Sequence, residues 1–195
     1  MNEKLKKSEN LQAMIEAAVM LALTLALKTF TPFKLPFGGS VTLCSLLPIC
    51  VLSYRRGLKW GFGTGLVFGI MSLLLGLDNM AYLAKSFGTL AIFVLFDYVL
   101  ACLSLGFGGI FRKVIKNRIL SLTLGSVVAT VLRACCYVVS GVTIWRDMAE
   151  YPTVTTAALW YSITYNLSYM LPEIIITAVG SIAVASVINL RKKRI

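Results

Sequence analysis

A chain of 195 residues that is 58% hydrophobic and only 14% charged is too apolar for a soluble domain, where charged residues approach a quarter of the total. Its net charge of +11 does not point to nucleic acid, because the basic residues lie between apolar runs rather than on one soluble face. The chain has no histidine, which removes Ser-His-Asp catalysis, HExxH zinc sites and histidine-ligated haem.

The first apolar run, 11–29, follows the charged segment MNEKLKKSEN. No small-residue cleavage site closes a short apolar core, so a retained first helix is expected rather than a signal peptide. Ala18, Ala22 and Ala26 recur every four residues. Such a smooth stripe lets another helix approach closely. Glu16 lies near the start of this run. Residues 29–40, TFTPFKLPFGGS, contain Pro32, Pro36, Gly38 and Gly39, which break a helix. They read as an aromatic loop at the membrane surface.

The second apolar run, about 41–53, is short, contains Pro48 and ends in Tyr54-Arg55-Arg56-Gly57. In the third, 58–76, Gly61, Gly65 and Gly69 continue a four-residue repeat begun at Gly57, a seam for helix packing. A loop over 77–86 holds Asp78, Asn79 and Tyr82. The fourth run, 87–111, is interrupted by Asp97-Tyr98 and leads into the basic connection FRKVIKNR, 111–118. The fifth, 119–144, contains Arg133, with Tyr137 and Ser140 one and two turns on. A loop of mixed charge, 145–152, follows. The sixth, 155–189, would be about 50 Å long at 1.5 Å per residue, so a kink at Pro172 or a projection from the membrane is expected. ArgLysLysArg, 191–194, closes the chain.

Each run is near the ~20 residues that cross a bilayer. With both termini placed inside, the inner side collects Lys4, Lys6, Lys7, Arg55, Arg56, Lys59, Arg112, Lys113, Lys116, Arg118 and the basic tail. The outer side holds Lys28, Lys34, Lys85 and Arg146. That asymmetry is the positive-inside pattern. The expected fold is an all-α plasma-membrane protein of six transmembrane helices with both termini cytoplasmic. It forms one domain over 1–195, with 1–10 as a cytoplasmic segment and 191–195 as a basic tail. Cys44, Cys50, Cys102, Cys135 and Cys136 lie in apolar runs without CxxC spacing and read as small hydrophobes. No phosphate-binding loop and no metal-ligand cluster is visible, so no metal is expected and no ATPase in this chain.

Polar chemistry concentrates in Trp160–Glu173, WYSITYNLSYMLPE. On a helix Ser162, Asn166, Tyr169 and Glu173 share one face, flanked by Tyr161 and Tyr165. A carboxyl, an amide and phenols on one membrane helix need partners, water or a ligand. Asp97, Arg133 and Glu173 are the ionisable residues deepest in apolar runs. Two readings of Asp97 stay open. It pairs with Arg133 and locks the fourth and fifth helices, or it faces a cavity and receives a cationic ligand group. In the second case Tyr98, Trp145, Trp160, Tyr161 and Tyr169 supply aromatic walls, and Asn166 reads a heterocycle edge. Interfacial belts are the rival account of Trp145, Tyr151 and Trp160.

Several motifs run in order along nearly the whole chain: EAAVMLAL at 16–23, GGSVTL at 38–43, LLPI at 46–49, YRRGLKWGFGTGLVFG at 54–69, FDYVLA at 96–101, Arg133 with Tyr137 and SGV at 140–142, and YSITYNLSYMLPE at 161–173. In these the chain resembles the S-components of energy-coupling-factor vitamin transporters, most nearly the thiamine-specific kind, which implies a bacterial protein. The resemblance implies a six-helix fold that captures one vitamin near its outer face. It also implies docking on a transmembrane coupling protein and two cytoplasmic ATPase subunits, with ATP hydrolysed by those partners and no cofactor on this chain. By resemblance Ala18 and Ala22 form the docking face, and the stripe extends it to Ala26. Asp97 and Tyr98, Tyr161, Asn166 and Trp145 fall on the family's thiamine pocket; Tyr169 and Trp160 join them as candidate aromatic walls read from the residues alone. The chain departs from the family pattern at Asp97, where Glu is usual, at Tyr137, where His is usual, and at Phe68, where Trp is usual. A different heterocyclic vitamin is the alternative ligand. An integral membrane enzyme using Asp97, Arg133 or Glu173, and an ion-coupled carrier, are the alternatives of other classes.

Overall fold

The computed structural model describes residues 2–35, 39–76, 87–143 and 156–188. The expected loops 77–86 and 145–152, Trp145 and the basic tail lie outside them. Helix α1, Asn2–Thr29, carries a broad apolar surface. Leu11, Met14, Ile15, Val19 and Leu23 are exposed on it, as are Ala18, Ala22 and Ala26, while Ala13 and Thr24 turn inward. The segment expected as an aromatic loop contains a short antiparallel pair, β1 (Phe33–Lys34) with β2 (Ser40–Val41). Phe33 stands opposite Val41 and Lys34 opposite Ser40.

The second helix corrects the expected span of 41–53. Helix α2 runs over Leu47–Arg56, with Pro48 in its first turn. A helix begun at Val41 would carry Pro48 in its interior, where the ring clashes with the carbonyl four residues back. That carbonyl belongs to Cys44, whose φ of 58° already lies outside the right-handed region. In a first turn Pro costs nothing, since its missing donor would be unused there. At ten residues α2 is about 15 Å long, half of the ~30 Å hydrocarbon core. It is buried on all sides from Leu47 to Tyr54, as a helix apolar all round should be.

Gly57, at φ +102°, turns α2 directly into α3, Leu58–Leu75. At this turn Glu16 of α1 accepts from Arg56 Nε at 2.6 Å and from Arg55 Nη2 at 3.1 Å. Helix α4, residues 87–113, is composite. Phe87–Phe93 is α-helical, Val94–Leu100 is a π turn, Ala101–Leu103 returns to α, and Ser104–Lys113 is a 3-10 helix. Helix α5 covers Arg118–Thr143. Asn117 caps it by accepting from the Ile119 N–H at 2.9 Å and the Leu120 N–H at 3.3 Å. Helix α6, Thr156–Val187, continues through Pro172.

Small residues set how closely these helices meet. A Cβ on Gly61 would lie 2.5 Å from Ser53 Cβ, and one on Gly69 2.5 Å from the Tyr98 carbonyl oxygen; one on Gly65 would strike the Cys102 carbonyl. The four-residue seam is a close-packing face, as its spacing predicts, set against α2 and α4 at Gly61 and against α4 at Gly65 and Gly69. On α5 the buried residues Leu122, Gly125, Ser126, Ala129, Thr130 and Arg133 recur at helical spacing and face α4 and α6. Among the described residues five helices are long and apolar enough to cross a membrane: Lys7–Thr29, Leu58–Leu75, Leu90–Lys113, Arg118–Thr143 and Thr156–Val187. The short α2 is the sixth helix.

Candidate functional site

Beside the β1–β2 pair the helices part and leave a cavity of about 470 Å³. That is within the size range of small-molecule sites. Helix α6 supplies the longest wall. The face its periodicity marks, Ser162, Asn166, Tyr169 and Glu173, lines the cavity together with the flanking Tyr161 and Tyr165, and Met170 joins them. The rings of Tyr161 and Tyr165 stack with centroids 6.2 Å apart, and Tyr165 meets Tyr169 edge-on at 5.7 Å. Tyr137 of α5 approaches Tyr169 at 6.2 Å.

Asn166 is 4% exposed. Its Oδ1 accepts from Tyr169 OH at 2.5 Å, and its Nδ2 donates to the carbonyls of Ser162 at 2.9 Å and Tyr137 at 3.3 Å. The amide expected to read a heterocycle edge thus ties α6 to α5 and orients Tyr169. A ligand reading it would have to exchange one of these bonds. The two helices come this close because residue 141 is glycine. A Cβ there would run into Ser162 Oγ.

Glu173 holds the hairpin. Its carboxylate accepts from the Thr42 backbone N–H at 2.6 Å and from Thr42 Oγ1, which also bonds Ser45 Oγ. Nearby, the Gly39 N–H donates to Tyr165 OH at 3.0 Å. Gly39, Ser40, Thr42 and Ser45 accordingly form part of the cavity lining. Sequence reasoning missed these hydroxyls. Single Ser and Thr residues in an apolar run carry no periodic signal.

Lys28 is a further omission. Counted from sequence among the outer loop charges, it stands in the cavity wall. Its Nζ donates to Ser72 Oγ at 2.9 Å and lies 5.4 Å from the centroid of the Phe68 ring. Helix α4 contributes Phe93, Asp97, Tyr98 and Cys102. Arg133 completes the charged set. It ties α5 to α4 through Nη1, which donates to the Ala101 carbonyl at 3.0 Å and to Cys102 Sγ at 3.3 Å, and its guanidinium lies 5.0 Å from the Tyr137 ring centroid. Lys28, Arg133, Asp97 and Glu173 give the lining two formal charges of each sign.

Of the residues singled out from sequence, Asp97, Tyr98, Asn166, Tyr161, Tyr169, Tyr137 and Phe68 converge on this one cavity. Trp160 does not. It is 64% exposed, on the outer side of α6. Trp145 falls outside the described residues. Phenol and phenyl faces beside a carboxylate make a host for a cationic ring. Among the described residues no group of three or more His, Cys, Asp or Glu side chains is placed to hold a metal ion.

The family model described as thiamine transporter protein (Thia_YuaJ) matches residues 14–192. The thiamine transporter ThiT of Bacillus subtilis (strain 168) is 30% identical over 187 residues, which cover 90% of this chain and 91% of the relative. A solved structure of ThiT from Listeria monocytogenes matches with a TM-score of 0.72 at 18% identity, covering 94% of this chain and 100% of that one. At that identity the match speaks for the fold alone. The apolar helices and these bacterial relatives make the chain a multi-pass bacterial membrane protein whose family function is transport, not catalysis. The chain belongs to the thiamine transporter protein family.

Proposed function

We propose that this chain is the substrate-capturing S-component of an ATP-driven energy-coupling-factor importer, and that its cavity takes thiamine or a close relative from outside the cell. The observation that carries the reading is the meeting of Asp97 with the rings of Tyr98, Tyr137, Tyr161, Tyr165 and Tyr169 in one 470 Å³ cavity. The thiazolium ring of thiamine is a permanent cation. Ring quadrupoles and a carboxylate both attract it, and desolvation strengthens both attractions. Asp97 is the charge partner in this reading, Tyr98, Tyr137 and Tyr161 are stacking faces, and Asn166 holds Tyr169 in place.

The coupling part of the proposal rests on α1. The stripe of Ala18, Ala22 and Ala26 is exposed along its length and suits close approach by a helix of the coupling protein. In this scheme both termini are cytoplasmic, ATP is hydrolysed by two partner subunits, and this chain holds no cofactor. Titration of the purified chain with thiamine tests capture. Uptake by cells making an Ala22→Trp variant tests docking: intact binding without uptake supports it, and unchanged uptake rejects it.

A different heterocyclic vitamin is the second reading. Lys28 favours it, because an ammonium in the wall disfavours a bare cation and suits a ligand with an acceptor or anionic group. Tighter binding of such a vitamin than of thiamine in a side-by-side titration would replace the first reading with this one.

A further inference from the structure

Phe93, Asp97 and Tyr98 all line the cavity. On an α-helix residues five apart point about 140° apart. Here Phe93 and Tyr98, five apart, touch ring edge to ring face, with centroids 5.3 Å apart. The backbone explains it. Val94–Leu100 is a π turn, and the Ala101 N–H that closes it donates to the Phe96 carbonyl, five residues back. Single π turns are rare and concentrate at functional sites. This one swings Tyr98 onto the side where Phe93 and Asp97 already face.

A widened turn needs room and something to hold it. Helix α3 gives the room at Gly69 and Gly65, where a Cβ would meet the carbonyls of Tyr98 and Cys102. The hold comes from α5 and from the next turn of α4 itself. Arg133 Nη1 reaches the Ala101 carbonyl at 3.0 Å, and Ser104 Oγ donates to the same oxygen at 2.8 Å. Arg133 is 8% exposed, and its described hydrogen bonds run to a carbonyl and a thiol rather than to a carboxylate. A buried guanidinium placed so is expensive, and both of its described hydrogen bonds fall on Ala101, the residue that closes the π turn, and its neighbour Cys102.

We propose that Arg133 is a positioning residue, which clamps the Ala101 carbonyl from α5 and so holds the π turn that aims Asp97 and Tyr98 into the cavity. What the cavity binds rests on the proposed function; the clamp does not. The sign of the effect separates positioning from electrostatics. Arg133 puts a positive charge beside a site assigned to a cation. By charge alone its removal tightens binding, whereas loss of the clamp weakens it.

The test compares wild type, Arg133→Lys and Arg133→Gln in the purified full chain. Hydrogen exchange without ligand is expected to quicken over 94–103 in the order wild type, Lys, Gln, because a single ammonium reaches fewer acceptors than the guanidinium fork. The rest of α5 should hold its wild-type rate. Thiamine affinity should fall about tenfold in Arg133→Gln, and by less than about threefold when Asp97→Asn is already present, since both changes act through one carboxylate. Unchanged exchange at 94–103, quickening spread evenly through α5, or tighter thiamine binding by Arg133→Gln would each overturn the clamp. If Arg133→Gln does not fold, Arg133→Lys alone must still exceed wild type over 94–103. If wild type binds no thiamine, the functional reading falls and the exchange data still decide the clamp.

Discussion

Where α2, α3 and the 3-10 end of α4 meet, backbone touches backbone; farther along α3 and α4, beside their close contacts at Gly65 and Gly69, side chains line a cavity. At the tight end Gly61 lies against Ser53 and Gly106, Gly109 against the Ser53 carbonyl, and Gly125 of α5 against the Gly108 carbonyl. Ser53 Oγ donates to the Gly106 carbonyl and accepts from the Gly109 N–H. At the open end Phe68, Ser72, Tyr98 and Arg133 stand around about 470 Å³. Lipid tails are as apolar as leucine, so helices in a membrane gain little from burying apolar surface against each other; close approach and hydrogen bonds hold them. The tight end has both. The open end carries charged and phenolic groups that suit a ligand. Stability and recognition thus occupy different lengths of the same helices, and mutation should separate them.

The largest effect is expected from Gly125→Leu. Its side chain would enter the Gly108 backbone, an overpacking expected to cost about 3 kcal/mol or more. Thermal unfolding in detergent should show a large loss of stability, with ligand binding lost alongside. A wild-type transition would erase the distinction between the two ends. Asp97→Asn should do the reverse, leaving the unfolding transition in place while weakening a cationic ligand by about 1.5–3 kcal/mol, some ten- to hundredfold. Equal loss of stability and affinity would make Asp97 a structural residue.

Glu173→Gln lies between the two classes, since Glu173 is in the cavity wall yet serves the hairpin. The amide keeps an acceptor but loses its charge. A cost of about 1 kcal/mol is expected, seen as faster hydrogen exchange confined to residues 40–45. Exchange quickening throughout α6 instead would show that the tie holds the helix rather than the hairpin. The smallest effect is expected from Trp160→Ala, which removes a ring on the outer side of α6 and should leave thiamine affinity unchanged. A clear loss would extend the site beyond the cavity.

Much of the tight end was legible in the sequence because its signals are local. The Gly61, Gly65 and Gly69 spacing forecasts a seam, and the seam packs α3 against α2 and α4. The face of Ser162, Asn166, Tyr169 and Glu173 on α6 was equally plain, being one helix read at its own period. The start of α2 was misjudged, because hydropathy cannot tell a proline in a first turn from one in an interior, and Cys44 adopts positive φ without a glycine to announce it. The rest of the cavity depends on contacts distant in sequence. Lys28 meets Ser72, Thr42 meets Glu173, and Arg133 meets Ala101. Nothing in a local window encodes such pairs. The interruption noticed at Asp97-Tyr98 was a π turn, visible in composition only as a charge in an apolar run. Between the two accounts of Trp160, pocket wall and interfacial belt, sequence does not choose, because an aromatic beside a polar face serves equally well as either.

The most direct test of the central claim is calorimetric titration of the purified, detergent-solubilised chain with thiamine, run beside Asp97→Asn. Calorimetry is preferred to tryptophan quenching because Trp160 stands outside the cavity. Saturable one-to-one binding by the wild type, weakened at least about tenfold in Asp97→Asn, is the predicted result. Absence of binding in the wild type, or binding that Asp97→Asn leaves unchanged, would contradict the assignment of this cavity as a thiamine-capturing site.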